Sequence, residues 1–338
     1  MRALTALPPA LAAAIAFSCG HDARVASPAT SEVPPSAANS NGVAPPAASA
    51  AGSAAVAGAS SASPVAPPPI DGALPSPEAL TLSTKASCPA KTCRLEGSLL
   101  DALLGAPDNR SPAGIWEEDL GAGAAVSFAR RTDVDVLGIT LAGSVTLASD
   151  EAKGGDAELT PWHAFIAPGG GITLRAKGGP ARFVLIVVTA GEAPAAKVAA
   201  TKASAWTSRP SRIASVDLTM LPDLAWGKGA YHARIGFGGD VSAHASLGIL
   251  KMSAEGVVSP HVHEKEWEHM AILQGEGDFI QGNGDEEHTL HGSDGVIFSV
   301  APGTRHQWKP AGSRSFLGIQ VYTPPGPEQR FKKLAAAP

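Results

Sequence analysis

The sequence predicts an all-β protein: two small β-barrels in tandem, preceded by a disordered Ala/Pro/Ser-rich N-terminal segment. Three observations carry this. Thirty-seven glycines and 29 prolines stand beside an aromatic content of 5%, a composition of many turns rather than long helices. Short half-alternating runs such as MAILQ, GVIFSV and FLGIQVY are separated by turn clusters such as QGEG, HGSDG and KPAG, the rhythm of an antiparallel sandwich or barrel. The pattern also occurs twice. DVDVLGITLAGSVTL (133–147) is matched by KEWEHMAILQGEGDFI (265–280), WHAFIAPGG (162–170) by GVIFSVAPG (295–303), and RFVLIVVT (182–189) by FLGIQVYT (316–323). Gly143 and Gly275 lie 132 positions apart and Pro168 and Pro302 lie 134 apart, the near-constant register of a duplicated unit.

The chain opens with Arg2 and the apolar stretch LTALPPALAAAIAF, ending at Ser18-Cys19-Gly20. That order reads as a secretory signal peptide over 1–18. The small residue and cysteine at its boundary resemble the lipobox of bacterial lipoproteins, which implies lipid attachment at Cys19; ordinary cleavage beside an incidental cysteine is the alternative. From Gly42 to Pro69 only Ala, Pro, Ser, Gly and Val occur. Such a segment buries too little apolar surface to offset its ordering entropy, so 19–84 is expected to be a partly extended tether. The expected localisation is therefore an exported one, as a periplasmic or outer-envelope lipoprotein that meets the membrane through its anchor. Cys88 and Cys93, an even pair in an exported chain, read as a disulfide; a CxxxxC metal half-site is the alternative, with no second pair nearby to complete it.

The remaining boundaries follow the repeat: a first barrel over 85–195, a linker over 196–225 and a second barrel over 226–338. Helical pattern is expected only at the edges, in 98–105, 212–221 and 328–336. The formal charge of −5 gives no basic face, so nucleic acid is not an expected partner. No apolar run reaches the roughly 18–20 residues of a membrane-spanning helix. A dinucleotide loop, GxSxG, HExxH and a P-loop are all missing; GFGGD (236–240) lacks the required spacing.

Six of the ten histidines fall between 261 and 306. His261 and His263 are two apart, so on a strand their imidazoles share a face. Glu268 heads the next apolar run, and His306 follows the Pro302-Gly303 turn. Three imidazoles and one carboxylate suit a divalent transition metal with open coordination positions, and they would be costly to bury without one. Mn, Fe, Ni, Cu and Zn all fit such a donor set.

These segments resemble the two motifs of the cupins. Gly256-VVSP-His261-V-His263-EKEW-Glu268-HMAILQ-Gly275 resembles the first motif, with one residue of difference before His261. Gly295-VIFSVA-Pro302-Gly303-TR-His306 resembles the second, without the asparagine that often follows the histidine. The resemblance implies tandem jelly-roll barrels, a bicupin, with metal ligands His261, His263, Glu268 and His306. Shifting these positions by the repeat offset gives Ala129, Arg131, Val136 and Ile172, so the first barrel is expected to hold no metal and His163 there to be structural.

Two function classes follow. One is metal-dependent chemistry on a small molecule, of the dioxygenase, isomerase or carboxylate-cleaving type that the resemblance implies. The other is a non-catalytic cupin that binds a sugar or carboxylate at the cell envelope. A scaffold with a structural metal is a third, less suited to this ligand set because structural zinc favours cysteine. No catalytic residue is assigned; Glu276, Gln281, His288 and His291 are the candidate proton-transfer groups. His269 is expected to point outward, away from Glu268, and a homodimer is a further possible assembly.

Overall fold

In a computed structural model of the chain, residues 69–83, 85–88, 92–95, 112–150, 156–189 and 213–337 are described, the side chains of 85–88, 92–95 and 285 excepted. The signal peptide, Cys19, most of the tether, the helix expected at 98–105 and the Cys88–Cys93 pairing lie outside the described residues.

The first copy runs β3 (Ala113–Leu120), β4 (Ala125–Phe128), β5 (Val134–Ala142), β6 (Val145–Ser149), β7 (Ala157–Leu159), β8 (His163–Pro168), β9 (Ile172–Ala176) and β10 (Ala181–Thr189). The second repeats it with β14 (Ser246–Met252), β15 (Val258–His261), β16 (Trp267–Gln274), β17 (Gly277–Gln281), β18 (His288–Gly292), β19 (Ile297–Val300), β20 (His306–Pro310) and β21 (Phe316–Thr323). Strand order 3-10-5-8 in one sheet and 4-9-6-7 in the other becomes 14-21-16-19 and 15-20-17-18. Each copy is thus a two-sheet antiparallel barrel of the same topology. Two short strands, β1 (Lys85–Cys88) and β2 (Thr92–Leu95), add parallel edges to the two sheets of the first copy.

Alternation along the strands separates the barrel interiors from a layer between the barrels. On β10, Phe183, Leu185 and Val187 fill the first barrel while Val184, Ile186 and Val188 face the other way. On β5, Val134 and Val136 point inward, and Leu137, Ile139 and Leu141 join the outward set. That outward set meets Leu247, Ile249, Ala271, Leu273, Leu317, Ile319 and Val321 of the second copy in one apolar layer between the barrels. Sheets buried on both faces read as continuous apolar runs, which is why RFVLIVVT shows so little polar alternation. The hairpin glycines are required. Gly143 has φ +69° and a Cβ there would lie 2.3 Å from the Pro180 carbonyl oxygen; Gly275 has φ +107° against the Phe316 backbone.

Two stretches differ from the sequence expectation. Over 212–221 the described residues form strand β11 (Ala214–Asp217) and a 3₁₀ turn, not a helix. Ile213 packs on the first barrel's interior while Ala214 and Val216 pack between the barrels, a period of two that pairing with β8 imposes. Within the stretch 196–225 read as linker, β11 therefore belongs to the first copy's sheet and β12 (Leu224–Trp226) pairs with β13 (Tyr231–Phe237) of the second. Residues 69–83, read as the end of a tether, pack along both copies. Leu80 and Leu82 enter the layer between the barrels, Leu82 N donates to Glu117 Oε2 (2.7 Å), and Ser83 N donates to the Gly295 carbonyl (2.9 Å). The expected C-terminal helix forms as α1 (Gln329–Ala336), with Phe331 packed on Tyr322 and Ala233.

Candidate metal centre

β15 and β20 pair so that His261 stands opposite His306, and β17 continues the row with Gln281 opposite His306. Paired positions on antiparallel strands share a face, so the row crosses the barrel interior. Glu268 reaches it from the other sheet, at the start of β16. His263 lies just past β15, held by Gly303 N donating to its carbonyl oxygen (2.8 Å). The Pro302-Gly303 turn therefore presents His306 and fixes His263 together. One ligand atom from each of His261, His263, Glu268 and His306 falls within 4.8 Å of all the others.

The hydrogen bonds fix which atoms face inward. His261 Nδ1 donates to the Ser259 carbonyl (2.9 Å) and His306 Nδ1 to the Thr304 carbonyl (3.0 Å), since a carbonyl only accepts. Nε2 of each is left for the cluster. His306 Nε2 is 2.9 Å and His263 Nε2 3.0 Å from Glu268 Oε2. His261 Nε2 is buried with no hydrogen-bond partner among the described residues. A buried nitrogen with a lone pair and nothing to bond is costly, and here it stands beside a carboxylate and two more imidazoles. A divalent cation at this point would satisfy all four.

The electrostatics agree. Burial, with the neighbouring His306 and Arg330 adding to it, lowers the His261 pKa to about 4, so the ring is neutral. Burial pushes Glu268 up, but the His263 and His306 rings beside its Oε2 outweigh it and hold the carboxyl well below its usual range. A neutral imidazole and an ionised carboxylate are the metal-binding forms.

Behind the cluster, Glu268 Oε1 accepts from Gln320 Nε2 (2.9 Å) and Tyr322 Oη (3.2 Å). Burial raises the Tyr322 pKa well above the usual phenol value, so it remains a donor. These two residues escaped the sequence reading, though the repeat carries a signal for them. Tyr322 pairs with Glu268 as Val187 pairs with Val136, and Gln320 with Met270 as Leu185 with Gly138. The first barrel thus has Val136, Ile172, Leu185 and Val187 at the positions of Glu268, His306, Gln320 and Tyr322, all four in its apolar interior.

The remaining sequence candidates separate. His288 is opposite Gln281, so both continue the row from His306, and both line a cleft of about 600 Å³ with Trp267, Glu286 and Thr304. His291 falls on the other face and pairs with Asp278 (3.2 Å). Glu276 is at the far end of β17, beside Gly312. His163 bonds Thr160 at the start of β8. His269 does point away from Glu268 but is fully buried rather than solvated, because that face of β16 is the one packed toward the layer between the barrels. Its Nδ1 is 3.0 Å from Ser299 Oγ, its ring stacks on Trp267, and burial lowers its pKa to about 4.

No protein-family model and no curated protein matches the sequence. Solved structures do. A glyoxylate-induced protein from Pseudomonas aeruginosa shares 11% identity over 64% of this chain and 77% of its own, with a TM-score of 0.50. The Lactobacillus farciminis oxalate decarboxylase in complex with formate shares 13% over 63% and 77%, with a TM-score of 0.50. The fold is that of a bicupin. The Bacillus subtilis oxalate decarboxylase studied for its Mn(II) centres is similar in the same way, at 11% identity over 64% and 70% with a TM-score of 0.51. At these identities the likeness speaks for the bicupin fold alone.

Proposed function

We propose that the second barrel binds one divalent transition metal through His261, His263, Glu268 and His306 and uses it for chemistry on a small molecule, of the dioxygenase, isomerase or carboxylate-cleaving type. The observation that carries this reading is the buried, unpartnered Nε2 of His261, directed at a carboxylate already shared by two imidazoles. Bound there, the metal would supply Lewis acidity or redox chemistry at its open positions. The chain's own residues then hold Glu268 in place through Gln320 and Tyr322, and the apolar interior around Phe279, Phe298 and Trp308 excludes water. Manganese is the first of Mn, Fe, Ni, Cu and Zn to test, because a neighbour in fold is described with Mn(II) centres. The first barrel, with apolar side chains at the equivalent positions, serves as a packing partner. The reading also includes export and a lipid anchor at Cys19.

Elemental analysis of the full chain beside the double variant His261→Ala, His306→Ala tests the site. About one transition-metal ion per chain, lost in the variant, is expected. Equal metal content in both proteins, or none in either after reconstitution, refutes the ligand assignment.

A further inference from the structure

The cleft of about 600 Å³ at the shared end of β16, β17, β18 and β19 is lined by none of the four ligands. Its volume lies in the roughly 300–1,000 Å³ range of small-molecule pockets. Trp267 forms an aromatic wall, one face of its ring stacked on the buried His269 and the other left to the cleft. Gln281, Glu286, His288 and Thr304 line the rest, and none of these four side chains makes a hydrogen bond or ion pair among the described residues. Their neighbours are committed elsewhere: His291 to Asp278 (3.2 Å) and Glu287 to Arg305 (3.0 Å). The backbone fixes the walls without them. Gly282 N donates to the Arg305 carbonyl (2.9 Å), and a Cβ at Gly282 would lie 2.2 Å from the Glu286 carbonyl oxygen, at φ +124°. Asn283 then ties this hairpin to the Pro302-Gly303 turn, its Nδ2 donating to the Gly303 carbonyl (3.4 Å) and its Oδ1 accepting from Arg305 N (3.3 Å).

We infer that this cleft binds a neutral saccharide. Among the described residues no lysine or arginine lines it, and the Glu286 carboxylate has no cation beside it, so an anionic guest is repelled. The Gln281 amide, the His288 imidazole and the Thr304 hydroxyl can each donate and accept, and Glu286 accepts. Sugar hydroxyls do both as well, whereas an organic cation would use only the carboxylate and the ring. The C–H face of a pyranose covers an indole that otherwise faces water. The inference does not rest on the metal reading, because the cleft borders the ligand row at Gln281, opposite His306, and contains no ligand.

The test titrates the full chain, after chelator treatment and again after loading with Mn(II), with glucose, galactose, mannose, N-acetylglucosamine and the disaccharides cellobiose and chitobiose. Glucuronate and choline are the charged comparators. At least one of the neutral sugars should bind at millimolar concentration or below, shift the tryptophan emission, and bind equally with and without metal. Trp267→Ala should weaken that binding at least about tenfold, the loss of one stacking contact. Trp267 also covers His269, so the double variant Glu286→Ala, His288→Ala, at two exposed side chains, is made beside it and should lose at least about tenfold with the fold intact. A disaccharide bound more tightly than its single ring marks the end of a glycan as the source, and equal affinities mark a free sugar; both uphold the inference. No binding by any neutral sugar, binding indifferent to both variants, binding seen only in the Mn(II)-loaded chain, or binding of glucuronate or choline in place of the sugars overturns it. Metal content, measured separately, decides the metal reading whichever of these is found.

Discussion

Gln320 and Tyr322 give the sharpest quantitative handle on the centre. Both donate to the one oxygen of Glu268 that does not face the imidazoles, at 2.9 Å and 3.2 Å, and both are buried. A hydrogen bond to a buried charged group contributes about 1.5–3 kcal/mol, and loss of a partner that orients a metal ligand costs roughly 10–100-fold in affinity. The longer phenol bond belongs at the lower end, so Tyr322→Phe should weaken metal binding about tenfold, equivalent to about 1.4 kcal/mol. The shorter amide bond belongs higher, so Gln320→Leu should cost between about tenfold and a hundredfold. Leucine is a fair replacement because Leu185 fills the equivalent place in the first barrel. Together the two substitutions leave a buried carboxylate oxygen with no donor, and their costs should exceed the sum of the singles, since either donor alone still orients the group. Competition titration of Mn(II) against a fluorescent chelator measures this directly, with far-ultraviolet circular dichroism checking the fold. A double variant within twofold of the wild-type affinity would show that Glu268 is not a ligand oriented by these residues.

The other predictions concern the first barrel and the N-terminus. Glu118, buried on the interior face of β3 with one bond from Trp116 Nε1 (3.1 Å), has its pKa raised by burial from 4.5 to about 7. The folded chain therefore keeps a proton that the unfolded chain releases above pH 4.5, so stability falls as pH rises from about 4.5 to about 7, by about 3 kcal/mol in all. Urea unfolding of Glu118→Gln at pH 5 and pH 8 should lose that difference; an unchanged slope would mean the carboxyl is not desolvated. Val136→Glu puts an unpaired carboxyl among Leu185, Val187 and Phe165 and should destabilise the chain by at least about 3 kcal/mol at pH 8. Adding Leu185→Gln and Val187→Tyr should recover part of it, and no recovery would argue that the barrels are not equivalent at these positions. Cys19→Ser should move the protein from the membrane fraction of its host to the soluble one; equal partition of both forms would refute the anchor.

Much of this was legible because it is local or periodic. The turn glycines, the two-residue alternation and the repeat offset all sit in short windows, and they place strands, hairpins and both barrels. The clustering of the four side chains was legible for the same reason: His261 and His263 are two apart, and His306 follows a Pro-Gly turn whose effect on the backbone does not depend on distant sequence. What escaped depends on register between strands far apart in the chain. Tyr322 meets Glu268 across a pairing that shifts by one residue between Ile272 and Gln274, and no window of sequence contains that bulge. Arg330 meets Tyr322 only because α1 folds back over β12 and that ring. His269 was misjudged by a different route. Parity correctly turned it from the metal side, but the reverse face of β16 is not solvent, since Ala271 and Leu273 on it belong to the layer between the barrels. The stretch 212–221 failed for want of length, because ten residues with apolar spacing compatible with two periods are decided by the neighbour that pairs with them, here β8.

The two barrels also explain each other. They share topology, hairpins and the turn before the last inward histidine position, so the fold alone does not require a metal in either. The difference is a coordinated exchange of side chains on one spatial patch: Val136, Ile172, Leu185 and Val187 in one, Glu268, His306, Gln320 and Tyr322 in the other. Changing one of these alone is expensive in either direction. A lone carboxylate in the first interior lacks donors, and a lone apolar residue in the second leaves donors or acceptors unpaired. The polar set is therefore stable only as a set. Its completeness in the second barrel, down to the two donors behind Glu268, is what supports the proposal of a cation centre over a chance crowd of histidines. The first barrel, relieved of that demand, is free to pack as an apolar body and, through β5, β8 and β10, to supply half of the layer on which the second barrel rests.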